Sequence, residues 1–453
     1  MGLTMIFKNR DQIVKNGQTI ELKQIRSDIL DIFSAAVNAV DPYKAVKTRF
    51  RNDVISVSQS ESLEISDFEN IYLVGFGKAS VGMAQGVCDS VKNIQEGAVV
   101  TNEIDKKVEH SNVSTFVGRH PIPDENSLKA TEEIIRIVKK CDRDDLLFVL
   151  ISGGGSSLLC KPRVKLLDMQ RTTDLLLKSG ADINEINTIR KHLSFVKGGQ
   201  LVKYSRSTVV SFIISDIIGD PLEFIASGPT HPDSTTYIDA HDILKKHGLL
   251  EKVPVSVKET IIDGVNGKIP ETPKERDPIF KKVYNIIVAN NKIACKAAEE
   301  KAGEIGYKTM ILTTSLDGEA REVGKYLVEK TVNYINSYAK KNAFISGGET
   351  TVTVKGKGQG GRNQEMVLSS VKDLDEKDVV FASFATDGID GNSDAAGAIA
   401  DRYTFKRAQE KGLDPTRFLL ENNSYKFFKE LNDVLLTGPT GTNVMDIQIL
   451  IKK

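Results

Sequence analysis

The chain predicts an α/β fold in two domains, and three observations carry that prediction. Short apolar runs such as Leu146–Ile151 (LLFVLI) and residues 209–214 (VVSFII) have the length of strands without polar alternation, as in a parallel sheet covered on both faces. Several of these runs pass into glycine turns and then into helix-forming sequence, the β-α-β order of a doubly wound sheet. A stretch at 264–278, GVNGKIPETPKERDP, holds three prolines, two glycines and six charged residues, and a fresh strand–helix–strand series follows it. A Rossmann-like N-terminal domain with a parallel sheet is therefore placed at residues 1–265 and a C-terminal α/β domain at 280–453.

Each element follows from its own pattern. Between residues 21 and 50, Ile25, Ile29, Ile32, Phe33, Ala36, Val37 and Val40 recur at helical spacing, which predicts an amphipathic packing helix. A strand at 71–75 turns through GFGKAS into a helix, and a second strand follows at 97–101. The helix at 127–141 feeds the Leu146 strand, which ends in SGGGSS. Residues 165–202 read as helical and rich in polar side chains, and the strand at 209–214 stops at Asp216. Beyond the linker-like stretch come a strand at 284–289, a helix at 291–302, a strand at 309–313 and a helix at 319–338. Strands at 343–346, 351–354, 379–385, 434–436 and 447–451 complete the second domain.

Composition bounds the function. The 453 residues carry 61 basic and 61 acidic side chains, so no net field attracts nucleic acid or an anionic membrane. A small-molecule ligand is the expected partner, and self-association is left open. The four cysteines, Cys88, Cys141, Cys160 and Cys295, have neither zinc nor disulfide spacing, which fits a reducing compartment. No apolar run reaches the ~18 residues of a membrane span. The opening MGLTMIFKNR has no signal-peptide core, so a cytoplasmic location is expected.

Chemistry concentrates where strands end in glycines. In VGFGKAS, Lys78 stands at a helix start as a point charge for an anion; the plainer alternative is a solvated lysine beside a packing glycine. Ser80 occupies the position of the third glycine of a dinucleotide fingerprint, so the match is partial, although Glu103 after the next strand could bind a ribose. The loop Ser152, Gly153, Gly154, Gly155, Ser156, Ser157 is neither a Walker motif nor a nucleophile elbow, and reads as an anion cradle of backbone N–H groups. Phe344 to Thr351, FISGGETT, echoes it. KGKGQGGRNQE, at 355–365, sets Gly360 and Gly361 before Arg362 at a helix start, where a guanidinium can fork onto two phosphate oxygens. Its four glycines call for a loop that is mobile or wrapped closely around something.

Carboxylates at loop ends, Asp216 and Asp220 in one place and Asp387, Asp390, Asp394 and Glu349 in another, suit Mg²⁺, which takes one or two of them and leaves the rest to phosphates and water. Asp216 and Asp387 are the candidates chosen. His120 in GRHPIP and His231 in PTHPD read as loop histidines without metal spacing.

Taken together, VGFGKAS, GRHPIP, LISGGGSSLL, INEINTIRKHLSFVKGGQL, SDIIGDPLEFIASGPT, ISGGETTVTVKGKGQGGRNQE, ATDGIDGNSDAAGAI and LLTGPTGTNV resemble the glycerate 2-kinase family, the type II or MOFRL-type glycerate kinases. The resemblance covers most of the chain. It implies two α/β domains with the active site in the cleft between them. It also implies ATP- and divalent-metal-dependent phosphorylation of D-glycerate at its 2-hydroxyl, with Lys78 and Arg362 as the catalytic pair. Arg190, Lys191, the Ser152–Ser157 loop, Gly360 and Gly361 are then candidates for the glycerate or phosphate pocket. The alternatives are an NAD(P)H-dependent hydroxypyruvate reductase, against which the missing third glycine stands, and a silent binding protein.

Overall fold

The computed structural model describes residues 7–58, 60–334 and 341–453, which leaves the end of the expected 319–338 helix outside the described residues. Two compact units emerge, one of Pro42–Val288 and one of Ala289–Lys453 joined by the chain up to Asp41.

The Pro42–Val288 unit is built on a six-stranded sheet of β1 (Ile71–Phe76), β2 (Ile94–Thr101), β3 (Val113–Val117), β4 (Leu146–Ile151), β5 (Thr208–Ile214) and β6 (Val283–Ala289). Its order is β3-β2-β1-β4-β5-β6, with the β1–β5 pairings parallel. Every residue of β1, β4 and β5 is buried, which is why these strands read as unbroken apolar runs. The helix Glu125–Val138 seals one face through Ala130, Ile134 and Val138, packed against Val74, Phe76 and Val149. This order is that of a doubly wound dinucleotide-type sheet, and its switch point lies between β1 and β4, where ligands of open α/β sheets collect. Phe76 pairs with Ile151, so Gly77 and Ser152 leave the sheet side by side.

A layer of helices, Leu166–Lys178, Ile183–His192, Tyr237–Lys246 and Val255–Val265, closes over its own core of Leu176, Ile186, Ile189, Tyr237, Leu244, Val257 and Ile261. The proline-rich stretch at 264–278 is docked rather than linking. Glu271 accepts from the Tyr237 N–H at 3.0 Å and contacts His192 at 3.0 Å, while Pro273 O accepts from Asp233 N at 2.9 Å. The next strand, expected to open the second domain, instead forms the β6 edge of the first sheet. Composition marks a loop; which sheet a short strand joins is decided by partners far away in sequence.

The other unit carries β7 (Lys308–Leu316), β8 (Asn342–Gly348), β9 (Val379–Ala385), β10 (Gly397–Ala400), β11 (Val434–Leu435) and β12 (Asp446–Lys452), in the order β7-β8-β12-β9-β10-β11. Only β7 and β8 pair in parallel; the rest is antiparallel, with the C-terminal strand β12 inserted between β8 and β9. The early helix, Ile20–Ala39, packs in this unit: Tyr307 donates to Asp28 at 2.6 Å and Phe33 stacks near Phe384. The strand expected at 351–354 is reduced to a single bridge at Thr351. The Glu319 carboxylate takes the Thr353 N–H and Asn422 takes that of Lys355, so side chains rather than a neighbouring strand satisfy this backbone.

Candidate active site

At the β1–β4 switch point the sequence builds one compact turn. Lys78 N donates to Gly153 O at 2.9 Å and Ala79 N to Ser152 Oγ at 3.1 Å, so the SGGGSS loop holds the lysine turn in place. Gly77, at φ 125°, cannot be replaced cheaply, because a Cβ there would strike Ser152. The serines serve the protein itself: Ser157 Oγ donates to Pro121 O at 2.5 Å, and Ser156 Oγ lies 2.8 Å from Ser227 Oγ. The N–H groups of Gly153 and Gly154 bond no described residue. The helix that follows is a single turn, Gly155–Leu158, too short to contribute much dipole, so an anion held at this turn would rely on those two N–H groups.

Asp216 and His120 join the turn. A Cβ on Gly153 would meet the Asp216 carboxylate, and one on Gly154 would lie 3.1 Å from the His120 ring. Burial raises the Asp216 pKa, with the Lys78 charge working against it, and burial followed by Lys78 lowers that of His120. The Lys78 ammonium forms no hydrogen bond or ion pair with a described residue, nor does either ring nitrogen of His120. In sequence His120 was indistinguishable from any loop histidine. Lys191 is placed differently from the expectation: fully buried, its ammonium bonds Asp233 at 2.5 Å and is not free for a ligand. On a helix its neighbour Arg190 points roughly 100° away.

In the other unit Arg362 opens the helix Arg362–Ser369. Its fork is taken by Asp446, with Nε 2.5 Å from Oδ2 and Nη2 3.0 Å from Oδ1, while Nη1 lies 2.7 Å from Glu349 Oε1. Asp446 opens β12, opposite Gly348 of β8 and Ala385 of β9, so the strand ends bring Asp446 and Glu349 onto the guanidinium, with Asp390 acting on it as a further carboxylate. Burial would lower the Arg362 pKa, but these carboxylates hold it above its ordinary value.

The glycine-rich loop wraps around protein. Gly356 N donates to Asn422 Oδ1 at 2.8 Å and Gly358 N to Glu421 O at 2.9 Å. Gly361 presses on Asp390, whose buried carboxylate accepts the N–H groups of Asn363 at 3.1 Å and Gln364 at 2.9 Å. The Gly360 N–H goes to Asn392 Oδ1 at 2.8 Å, and the helix start already holds an internal carboxylate. Nor does the second Ser-Gly-Gly repeat the first: Gly347 packs against Asn291, and no helix follows.

Burial pushes the Asp390 carboxyl up to about 6 from 3.8, with the Asn363 and Gln364 N–H groups opposing. Between pH ~4 and ~6 the folded chain holds a proton that the unfolded chain has released, so stability falls as pH rises through that window, by up to about 3 kcal/mol. Unfolding free energies of the protein and of Asp390→Asn are therefore expected to diverge from pH 4 to 6, against the unsubstituted chain, and to run parallel above it. A gap that does not change with pH would contradict the assignment.

Among the described residues no group of three or more His, Cys, Asp or Glu side chains could hold a metal, and no helix is long and apolar enough to cross a membrane. A doubly wound sheet with a lysine turn at its switch point, and, in the other unit, an arginine aimed by a carboxylate, are parts that α/β phosphotransferases use. Residues 28–262 match DUF4147, described as a domain of unknown function, and residues 342–446 match the MOFRL family. A glycerate 2-kinase of Pyrococcus horikoshii is 42% identical over 94% of this chain and 97% of its own, and a D-glycerate 2-kinase of Thermotoga maritima 40% identical over 93% and 96%. A crystal structure of a Thermotoga maritima glycerate kinase superposes with a TM-score of 0.85 at 38% identity, covering 95% of this chain and all of that one. The chain belongs to the MOFRL-type glycerate 2-kinase family.

Proposed function

We propose that the chain transfers the γ-phosphoryl group of ATP to the 2-hydroxyl of D-glycerate, giving 2-phosphoglycerate and ADP. The observation that carries this reading is kinship along nearly the whole chain with two proteins named glycerate 2-kinase. Phosphoryl transfer asks a protein mainly for positioning and charge neutralisation. Lys78, unpaired at the end of β1, supplies a positive charge to the transferring group, and the Gly153 and Gly154 N–H groups receive phosphate oxygens. Arg362, aimed by Asp446, offers the Nη1 edge that now faces the half-exposed Glu349.

A divalent cation such as Mg²⁺ fits Asp216, whose carboxylate bonds no other described side chain and borders the Gly153 turn. When bound, the cation would neutralise charge on the phosphate oxygens. Asp387 is the weaker candidate, since its Oδ1 already accepts from Ile389 N at 3.0 Å. A cytoplasmic setting suits the four free thiols.

The β3-β2-β1-β4-β5-β6 order is also that of nicotinamide-binding sheets, which keeps a hydroxypyruvate reductase as the second reading. Against it, Ser80 fills the third-glycine position with its hydroxyl bonded to Gly77 O at 2.7 Å, and Glu103 is paired with Lys106 at 2.8 Å. Pure protein is expected to release ADP with D-glycerate, ATP and Mg²⁺, and to leave NADH untouched with hydroxypyruvate, phosphorus NMR identifying the 2-phosphate. NADH oxidation without ADP release would reverse the assignment.

A further inference from the structure

The last turn of the helix Ile183–His192 carries a guanidinium that no described residue answers. Asn187, one turn earlier on the same face, accepts from Ser227 Oγ at 3.4 Å, and Ser227 Oγ lies 2.8 Å from Ser156 Oγ. Arg190 therefore rises from the face that meets the Ser152–Ser157 loop. Its guanidinium forms no hydrogen bond or ion pair with a described residue, and burial lowers its pKa from the ordinary arginine value.

A second cation stands beside it. Lys197 is buried, and its ammonium bonds only carbonyl oxygens, Ser156 O at 2.6 Å and Leu159 O at 3.1 Å. Burial first, and the Arg190 charge after it, bring the Lys197 pKa down to about 8. The titratable group that acts on both cations is the Cys160 thiol, which burial pushes up and so keeps neutral. A buried lysine and a half-buried arginine that act on one another, with no carboxylate acting on either, are costly to hold, and an entering anion lowers that cost.

We propose that Arg190, backed by Lys197, is an oxyanion subsite beside the SGGGSS loop, taking either the carboxylate of the acid substrate or a phosphate of the donor. Of the cations on this side of the loop, Lys197 is spent on carbonyls and Lys191 on Asp233, so the Arg190 fork is the group with donors to give. A planar fork matches the paired oxygens that carboxylate and phosphate share. The kinase reading supplies the names of these ligands; the charge of the site stands apart from it.

The test joins binding to kinetics in the full-length chain. Thermal unfolding is followed while inorganic phosphate, and separately D-glycerate, is titrated, and KM is measured for D-glycerate and ATP. Without ligand, Arg190→Met is expected to melt at or above the unsubstituted protein, because an unpaired, half-buried charge has gone from beside Lys197, and to lose the ligand-induced rise. One KM should increase about 10- to 100-fold while the other stays within about twofold. An increase for D-glycerate assigns the carboxylate, and one for ATP assigns the phosphate. A folded Arg190→Met protein that keeps both KM values and the thermal shift overturns the subsite. If Arg190→Met does not fold, Arg190→Lys carries the same test, and unchanged KM values there overturn it as well. Should the protein phosphorylate nothing, the phosphate-induced shift and its loss in Arg190→Met still decide the subsite, and the kinase reading fails by itself.

Discussion

Arg362→Lys should lower turnover with D-glycerate and ATP by about 10³-fold or more, the scale on which a positioned arginine acts in phosphoryl transfer. A lysine keeps the charge and loses the geometry. Arg362 gives two N–H groups to Asp446 and keeps a third nitrogen 2.7 Å from Glu349, and one ammonium cannot span both carboxylates. Asp446, fully buried at the start of β12, would keep at most one charged partner. Stopped-flow or steady-state rates, read beside the melting temperature, separate lost chemistry from lost stability. Near-full turnover in Arg362→Lys would show that charge alone suffices, and would remove the aimed fork from the mechanism.

How far the sequence could carry this is clear from individual residues. β1, β4 and β5 were legible because burial on both faces leaves no polar alternation, and their glycine turns followed directly. Lys78 and Arg362 were legible as cations placed next to such turns. What settles their surroundings lies far off in the chain: Asp446 is 84 positions from Arg362, and Asp390 is 27 from Asn363. No local pattern distinguishes a carboxylate that aims an arginine from one that merely opens a strand. Arg190 and Lys191 show the same limit at close range, since adjacent helix positions face different ways and only the fold says which one is spent on Asp233. The glycines of 355–361 call for something to wrap, and the 421–424 segment and Asp390, both remote in sequence, supply it.

The second large effect is structural and falls on the helix Ile20–Ala39. Arg26 is wholly buried, with Nε 2.8 Å from Asp401 and Nη1 2.7 Å from Asp433, and Asp433 also accepts from Arg407 at 2.8 Å and Asn16 at 3.0 Å. Burial works against the Arg26 charge, yet the two carboxylates hold its pKa above the ordinary value. Arg26→Ala strands Asp401, itself fully buried, without its cation and leaves Asp433 with Arg407 as its cation and Asn16 as a neutral donor. Removing one partner of such a network typically costs about 3–5 kcal/mol, a large share of a total stability of about 5–15 kcal/mol. Denaturant unfolding of Arg26→Ala should show that loss. Because breaking a buried pair is penalised more than replacing it, Arg26→Met combined with Asp401→Leu should recover part of it. A loss below about 1 kcal/mol in Arg26→Ala would place this site in the range of exposed ion pairs, and the docking of the first long helix would then rest on Phe33, Ile29 and their apolar neighbours alone.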